Sequence, residues 1–137
     1  RYFDELPLVV KFLERVRDTA SSRGYIQNWF GRKCHKSQDK GLFIMPNHLI
    51  QGGCADIIKV AMVRIHKLLQ ATKSSMLVQI HDELLLEIHD SEMHLVPKIK
   101  RIMEDVYRSK NNLKLTCGVE ISDRSFASID KRGFEFA

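Results

Sequence analysis

Hydrophobic positions recur at helical spacing in the first half of the chain. In residues 4–23 they fall three and four apart, Pro7 lies in the first turn, where proline is tolerated, and Gly24 is placed to end the helix. The longest pattern covers residues 47–72, and its apolar positions form a single stripe. The pattern therefore predicts two amphipathic helices.

A third helical pattern follows the polar run at residues 90–92, in which Ser91 is the candidate N-cap. Its apolar stripe continues to about Tyr107. Beyond it, apolar and polar residues alternate over residues 113–121, which is typical of a strand with one buried face. We predict a helix followed by a strand.

Two stretches have the pattern of β-hairpins. Residues 25–35 contain β-forming aromatic and branched side chains interrupted by turn residues. Residues 76–89 contain two apolar runs of strand length around three polar residues, His81, Asp82 and Glu83. We predict that these three residues lie at or next to the tip of the second hairpin.

The order of these elements predicts an α+β fold in which helices pack on a small antiparallel sheet. A length of 137 residues suffices for a single domain, 1–137, but is too short for a complete replicative enzyme. A hydrophobic content of 44% and a charged content of 28% are ordinary for a globular protein. Nothing in the composition indicates disorder.

The net charge of +5 is unevenly distributed. Residues 1–73 contain 13 lysines and arginines against 6 acidic residues, whereas residues 74–137 contain 9 against 11. The first half therefore favours a polyanionic partner, and the second half concentrates carboxylates. A basic domain without a specific partner is the alternative that charge alone leaves open.

Cysteine content and hydropathy exclude several classes of protein. Three cysteines without a C-x-x-C spacing indicate neither a disulfide framework nor a zinc site and favour a reducing interior. No apolar run approaches the roughly 20 residues of a membrane span, and the first residues do not resemble a signal peptide. We predict no membrane partner, and we expect the chain to begin inside a larger protein.

The tip of the second hairpin carries the clearest candidate chemistry. Asp82 and Glu83 are adjacent carboxylates, and together they favour a divalent cation with oxygen ligands, most naturally Mg²⁺. A hairpin provides the rigid support that a reacting site needs. The alternative is that these acidic side chains are ordinary solvated turn residues.

Candidate nucleic-acid contacts lie in the first half of the chain. Asn47 and Gln51 are four residues apart on one helix face, and their amide donors suit minor-groove acceptors that all base pairs present. Asn47 as an N-cap and Gln51 as a surface amide are the alternatives. A loop that contains Arg32 and Lys33 beside aromatic residues could neutralise phosphates, although such a loop is also common in proteins without a nucleic-acid partner.

Several sequence blocks together resemble the family A DNA polymerases, the DNA polymerase I-like enzymes. The string Gln79-Ile80-His81-Asp82-Glu83 before an apolar strand resembles the family's third polymerase motif, and residues 47–59 resemble its "N-x-x-x-Q-G-x-A-A-D-I-x-K" helix. Earlier matches, in the family's order, are Tyr2-Phe3 with Pro7, Gly24-Tyr25 and Gly31-Arg32-Lys33. The blocks cover nearly the whole chain.

The resemblance implies the C-terminal part of a polymerase palm. The implied reaction is DNA-templated nucleotidyl transfer from a dNTP to a primer 3′-hydroxyl with two Mg²⁺ ions. Asp82 would be one of two essential metal-binding aspartates, Glu83 an auxiliary ligand, and His81 would position the primer terminus. Asn47 and Gln51 would contact the minor groove, and Arg32 and Lys33 the DNA. The implied partners are primer–template DNA, the dNTP and the remainder of the polymerase.

The sequence also departs from the family pattern. The first-motif string "D-Y-S-x-I-E" and the fingers helix "R-x-x-x-K-x-x-x-[FY]-G" do not occur, so further metal ligands must come from outside this chain. Phe43 stands where the family usually has an arginine, and the short loop at 37–41 resembles the phage-type branch.

We therefore expect the isolated chain to be inactive. We expect its location to be the cytoplasm or nucleoid of a bacterial or phage-infected cell. A non-catalytic nucleic-acid-binding module and a scaffolding domain of a polymerase remain the alternative functions.

Overall fold

The computed structural model describes residues 3–36, 41–107, 114–123 and 125, and the chain divides into two compact units, Arg1–Asp56 and Ile57–Ala137. Within the described residues the fold is α+β, as predicted, and the antiparallel strands form two separate pairs. The helices are α1 (Pro7–Arg23), α2 (Met45–Leu69) and α3 (Val96–Glu104), and the strands are β1 (Tyr25–Gln27), β2 (Lys33–His35), β3 (Ser75–Ile80) and β4 (Glu83–Glu87). That residues 1–137 form one domain stays a prediction.

Helix α1 ends where the sequence predicts and begins three residues later than predicted. Pro7 lies in its first turn, and Gly24 follows it in the left-handed conformation, with φ of 77° and its N–H donated to the Ala20 carbonyl. Val16 and Ala20 on its buried face pack with Ile26 in the core of the first unit. The N-terminal residue Tyr2 of the first matching block lies outside the described residues.

Strands β1 and β2 form the predicted first hairpin, with Tyr25 opposite His35 and Gln27 opposite Lys33. Gly31 in the connecting loop has φ of 87°, a conformation that glycine adopts without the steric cost of a Cβ atom. This hairpin contributes Ile26 to the core that also contains Met45 of α2. The loop at 37–40 lies outside the described residues.

Helix α2 begins at Met45 and ends at Leu69, so it is shifted by two to three residues from the predicted 47–72. Gly53 and Asp56 are buried on one of its faces within the first unit. A Cβ atom at Gly53 would lie 2.2 Å from two carbon atoms of the Trp29 indole. Glycine is therefore required at this position for the indole to lie against the helix.

The second hairpin, β3–β4, forms the predicted antiparallel pair in the second unit. A bulge between Met76 and Val78 changes the phase of β3. One face of the hairpin contributes Met76, Leu84 and Leu86 to the core, which centres on Ile65, Leu69 and Ile99. The hairpin is thus fixed along one face by hydrophobic packing.

The start of the third helix differs from the prediction. A 3₁₀ segment, Asp90–Leu95, precedes α3, and Ser91 lies inside it rather than at its cap. The cap is His89, whose Nδ1 accepts a hydrogen bond from the Ser91 backbone N–H at 3.3 Å. The sequence pattern favours a hydroxyl oxygen as the cap, but an imidazole nitrogen can accept the same hydrogen bond. His89, which immediately precedes the 3₁₀ segment, provides that nitrogen here.

The predicted strand at 113–121 is wrong for the part that the structure describes. Leu113 lies outside the described residues, and residues 114–121 pair with no strand among those described. Side chains still alternate between exposed and half-buried along this segment. The Cys117 N–H donates instead to the Glu104 carboxylate at 3.0 Å, so a side chain occupies the bond that a neighbouring strand would make. None of the described helices is both long and apolar enough to cross a membrane.

We predict opposite consequences for alanine at the two adjacent glycines of α2. Gly52→Ala has its nearest neighbouring atom at 3.9 Å and should gain up to about 1 kcal/mol of helix stability. Gly53→Ala must displace the indole of Trp29, the sole tryptophan, so the lost packing should outweigh that gain and lower the free energy of unfolding. Tryptophan emission and urea unfolding of the 137-residue chain test both changes. An unchanged emission spectrum in Gly53→Ala would contradict the packing described here.

Candidate active site and nucleic-acid interface

A two-residue turn, His81-Asp82, closes the second hairpin, and Ile80 opposite Glu83 is the last pair of the ladder. His81, Asp82 and Glu83 are all exposed. The prediction that these three residues lie at or next to the tip is confirmed. The hairpin presents their side chains to solvent on a pair of hydrogen-bonded strands.

The backbone of His81 adopts a left-handed conformation, with φ of 55°. Such a conformation costs a non-glycine residue roughly 1–2 kcal/mol, and two-residue hairpins usually place Asn-Gly or Asp-Gly there. The Gln79 side-chain amide donates to the His81 carbonyl at 2.7 Å and so stabilises this turn. Histidine is, with asparagine and aspartate, among the non-glycine residues that adopt this conformation most often.

Asp82 and Glu83 provide adjacent hard oxygen donors. Among the described residues neither carboxylate forms a recorded ion pair or hydrogen bond, so both are available to a cation. This donor set suits Mg²⁺, which prefers carboxylate and water oxygens in octahedral geometry. No group of three or more potential ligands is present in the described part of the chain. The two carboxylates therefore fit a partial metal site.

Polar contacts fix the base of the same hairpin. The Glu92 carboxylate accepts the Lys73 backbone N–H at 3.0 Å and the hydroxyl of buried Ser74. The Ser74 hydroxyl in turn accepts the His89 N–H at 3.0 Å. These bonds tie the residues just before β3 to those just after β4. The hydrogen bond from Ser74, followed by that from Lys73, lowers the pKa of Glu92.

Asn47 and Gln51 are exposed on the first turns of α2. Asn47 is the third residue of the helix, so it is not an N-cap and its side chain is not needed for that purpose. At about 100° per residue, Asp56 lies about 180° around the helix from Asn47. The buried and the amide-bearing faces of α2 are therefore opposite each other within the first unit.

The guanidinium of Arg32 forms an ion pair with a carboxylate of the same chain. Its Nε donates to both carboxylate oxygens of Asp56, at 3.0 and 2.8 Å, and its Nη2 contacts the same carboxylate. Hydrogen bonding and the charge of Asp56 raise the pKa of Arg32 above its ordinary value. Arg32 is the predicted DNA contact whose guanidinium already has an anionic partner.

Lys33 differs from Arg32 in its surroundings. Its ammonium lies 4.8 Å from the centre of the Tyr25 ring, and its side chain is exposed on β2. A cation–π contact leaves the positive charge available to an anion. Lys33 is therefore placed to attract a phosphate.

Sequence reasoning missed the buried residues that support these sites. Asn28 and Asp56 are both 7% exposed, and the Asn28 amide donates to Asp56 at 2.8 Å. A signal was present, because a carboxylate beside the apolar stripe of α2 needs a partner when it is buried. Gln79, Ser74 and Glu92 gave no such signal, since their roles depend on contacts across the turn and the hairpin base.

Comparison with known proteins places these features in a family. A sequence model of DNA polymerase family A matches residues 1–127. The thermostable DNA polymerase I of Thermus filiformis is 31% identical over 132 residues, and DNA polymerase I of Caldicellulosiruptor bescii is 33% identical over 135 residues. The matches cover 87% and 90% of this chain. The chain belongs to the family A DNA polymerases.

A solved family A polymerase structure supports the same relationship. It is described as the POL domain of Pol1 from M. smegmatis in complex with DNA primer-template and dNTP. The similarity has a TM-score of 0.68 and 31% sequence identity, and it covers 77% of this chain and 21% of that one. The chain spans 16% and 15% of the length of the Thermus and Caldicellulosiruptor relatives.

Two features of this family A chain bear on its site. Family A DNA polymerases use divalent metal ions, which agrees with the oxygen donors at Asp82 and Glu83. Phe43, at the position of the family's usual arginine, lies in a 3₁₀ turn, Leu42–Ile44, and is 70% exposed. The described structure places no cation at this position of the chain.

We predict that Glu92 makes the stability of the second unit depend on pH. Its ordinary pKa is 4.5, and the folded state lowers it, so the ionised carboxylate stabilises the protein above pH 4.5. This contribution is lost as the pH falls through the folded pKa. Glu92→Gln should lower the free energy of unfolding at pH 7, and its difference from wild type should shrink toward pH 3.

Urea unfolding of the 137-residue chain between pH 7 and pH 3 measures this difference. Glu87→Gln is the matched control, because it removes an exposed carboxylate of β4 and leaves the Ser74–Glu92 contact intact. The control should keep the wild-type pH dependence. If the free energy of unfolding of Glu92→Gln followed that of wild type in parallel from pH 7 to pH 3, the carboxylate would not support the hairpin.

Proposed function

We propose that this chain forms part of the palm of a DNA polymerase that extends a primer by nucleotidyl transfer from a dNTP. The observation that carries the proposal is the pair of unpartnered carboxylates, Asp82 and Glu83, on the rigid tip of β3–β4 in a chain of this family. Membership of the family supports DNA synthesis by the larger protein. We extend this activity to roles for individual residues of the chain.

Asp82 and Glu83 would hold divalent cations, for which Mg²⁺ is the best match to their oxygen donors. Two bound Mg²⁺ ions supply charge stabilisation to the attacking and leaving oxygens of an in-line displacement. Asp82 is the principal ligand in this proposal, and Glu83 acts beside it or through water. His81, presented by the strained turn, positions the phosphate at the primer terminus.

Asn47 and Gln51 would contact the minor groove of the newest base pairs. Both are exposed, both can donate hydrogen bonds, and all Watson–Crick pairs offer acceptors at equivalent minor-groove positions. Such contacts sense the shape of a pair and not its sequence. Lys33 would bind the DNA backbone, since its ammonium is exposed beside Tyr25.

The isolated chain should not polymerise. Two adjacent carboxylates provide too few ligands for two octahedral ions, and the described residues contain no group of three or more potential ligands that could hold a metal. The remaining ligands and the triphosphate-binding cations would come from other parts of the polymerase. Primer–template DNA, a dNTP and those parts are the proposed partners.

We predict that Asp82→Asn in the full-length polymerase abolishes extension without abolishing DNA binding. The variant keeps the shape of the side chain and removes its charge. Because metal ligation contributes several kcal/mol to transition-state stabilisation, the extension rate should fall by about three orders of magnitude or more. Single-turnover primer extension measures the rate, and equilibrium titration of primer–template measures binding.

Asp90→Asn is the matched control for this experiment, since Asp90 is an exposed aspartate of the same unit beyond the hairpin. It should retain wild-type extension. Unchanged extension by Asp82→Asn would remove this hairpin from the catalytic centre. It would then favour the role of a nucleic-acid-binding module or scaffold.

A scaffolding role has support of its own in the exposed apolar residues of β3. Leu77, Val78 and Ile80 are 56%, 43% and 40% exposed. Apolar surface of this kind is often covered by another part of a protein. This role is compatible with catalysis, and retained extension by Asp82→Asn would leave it as the sole function of the hairpin.

We predict that Asn47→Ala and Gln51→Ala each weaken the response of the polymerase to a mismatched primer terminus. Each variant loses a donor to the minor groove, so matched and mismatched ends should be extended at more similar rates, by about fivefold for a lost hydrogen bond of about 1 kcal/mol. His48→Ala, an exposed neighbour, is the control. If Asn47→Ala and Gln51→Ala discriminated against mismatched ends as well as His48→Ala does, the proposed contacts would be contradicted.

A further inference from the structure

Arg32, Asn28 and Asp56 form one buried-to-exposed polar network that joins the first hairpin to helix α2. Asp56 accepts hydrogen bonds from both other side chains. The side-chain Oδ1 of Asn28 accepts the backbone N–H groups of Phe30 and Arg32, each at 3.0 Å. The same amide therefore shapes the loop between β1 and β2 and attaches it to the helix.

The geometry of this network differs from that of a phosphate-binding arginine. One edge of the guanidinium, formed by Nε and Nη2, faces a carboxylate whose side chain is only 9% exposed, and the charge of Arg32 is balanced there. A phosphate would have to compete with this carboxylate or bind a pair of nearly zero net charge. Among the described residues, no carboxylate forms an ion pair with Lys33, the next residue along the chain.

The network also fixes the orientation of α2 at a point opposite its exposed amides. Asp56 lies about 140° around the helix from Gln51 and about 180° from Asn47. One turn earlier, Gly53 lies in contact with the Trp29 indole. Together these contacts hold the hairpin loop against the part of α2 that belongs to the first unit and fix which face of that part lies against β1–β2.

We propose that Arg32 is a positioning residue, which acts through Asp56 and Asn28 to fix the face of α2 that carries Asn47 and Gln51. This inference rests on the proposed function of those two amides. It differs from the role that the sequence resemblance implies for Arg32, because the DNA contact is made by the amides and by Lys33. Asn28 and Asp56 share the same role.

A double-mutant cycle in the full-length polymerase tests the proposal. Arg32→Gln and Asp56→Asn each leave one polar partner of the network unmatched, and each should weaken primer–template binding and mismatch discrimination. The double variant replaces the ion pair with two amides. Its loss of binding and of discrimination should be smaller than the product of the losses in the two single variants. We expect the difference to be about fivefold or more.

The salt dependence of binding separates positioning from phosphate contact. Losing one phosphate contact on duplex DNA reduces the slope of log K against log salt by about 0.9. Lys33→Gln is the positive control and should show this reduction. Arg32→Gln should keep the wild-type slope. A slope reduced by about 0.9 in Arg32→Gln, with effects that multiply independently of Asp56→Asn, would overturn the proposal.

Two further variants keep the test decisive. Asn28→Ser carries no change of charge and should reproduce the loss of discrimination seen in Arg32→Gln, which a phosphate contact could not explain. In an Asn47→Ala/Gln51→Ala background, Arg32→Gln should have no further effect on discrimination, whereas general destabilisation would still reduce activity. If Asn47→Ala/Gln51→Ala itself changes nothing, the proposed minor-groove role has failed. If it has an effect to which Arg32→Gln adds independently, only the positioning role has failed.

Discussion

The turn at His81-Asp82 must be held by the rest of the second unit, because its own residues oppose it. The left-handed conformation of His81 raises the free energy of the tip. Hydrophobic packing of Met76, Leu84 and Leu86 on one face holds the hairpin against the core of the unit and so offsets this cost. The Gln79 amide then stabilises the turn locally, at the His81 carbonyl.

Packing alone would not determine where the tip lies. Apolar side chains tolerate small shifts of a hairpin along a core, whereas hydrogen bonds have narrow limits of distance and angle. The contacts among Ser74, Glu92 and His89 supply such limits at the hairpin base. They join the two ends of β3–β4 and so restrict motion of the tip relative to the unit that carries it.

The sequence predicts the elements of this fold well because helices and hairpins depend mainly on local patterns. Pro7 and Gly24 locate the ends of α1 to within a few residues, and the polar triplet 81–83 locates the hairpin tip. The candidate site follows from the same triplet together with the ordered family motifs. Local pattern could therefore locate the candidate residues on the fold, and their chemical roles stay predictions.

The prediction of a strand after α3 failed because strand pairing depends on residues that are distant in sequence. Residues 114–121 alternate as a strand would, but a strand is defined by its neighbour, and Cys117 bonds to the Glu104 side chain instead. Local pattern is equally uninformative about the surroundings of Arg32, whose anionic partner, Asp56, lies 24 residues away, and its contact with DNA stays a prediction. Periodicity contains no information about such pairings.

The two units use the same physical solution for different functional groups. In each unit a carboxylate, half-buried Glu92 or buried Asp56, accepts several hydrogen bonds and holds an element whose exposed side carries the candidate chemistry. Replacing such a network with apolar residues often costs little stability, so stability alone does not explain its presence. Directional bonds restrict rotation and sliding, which hydrophobic contacts permit. Orientation of the hairpin tip and of the amide face of α2 is the property that these networks protect.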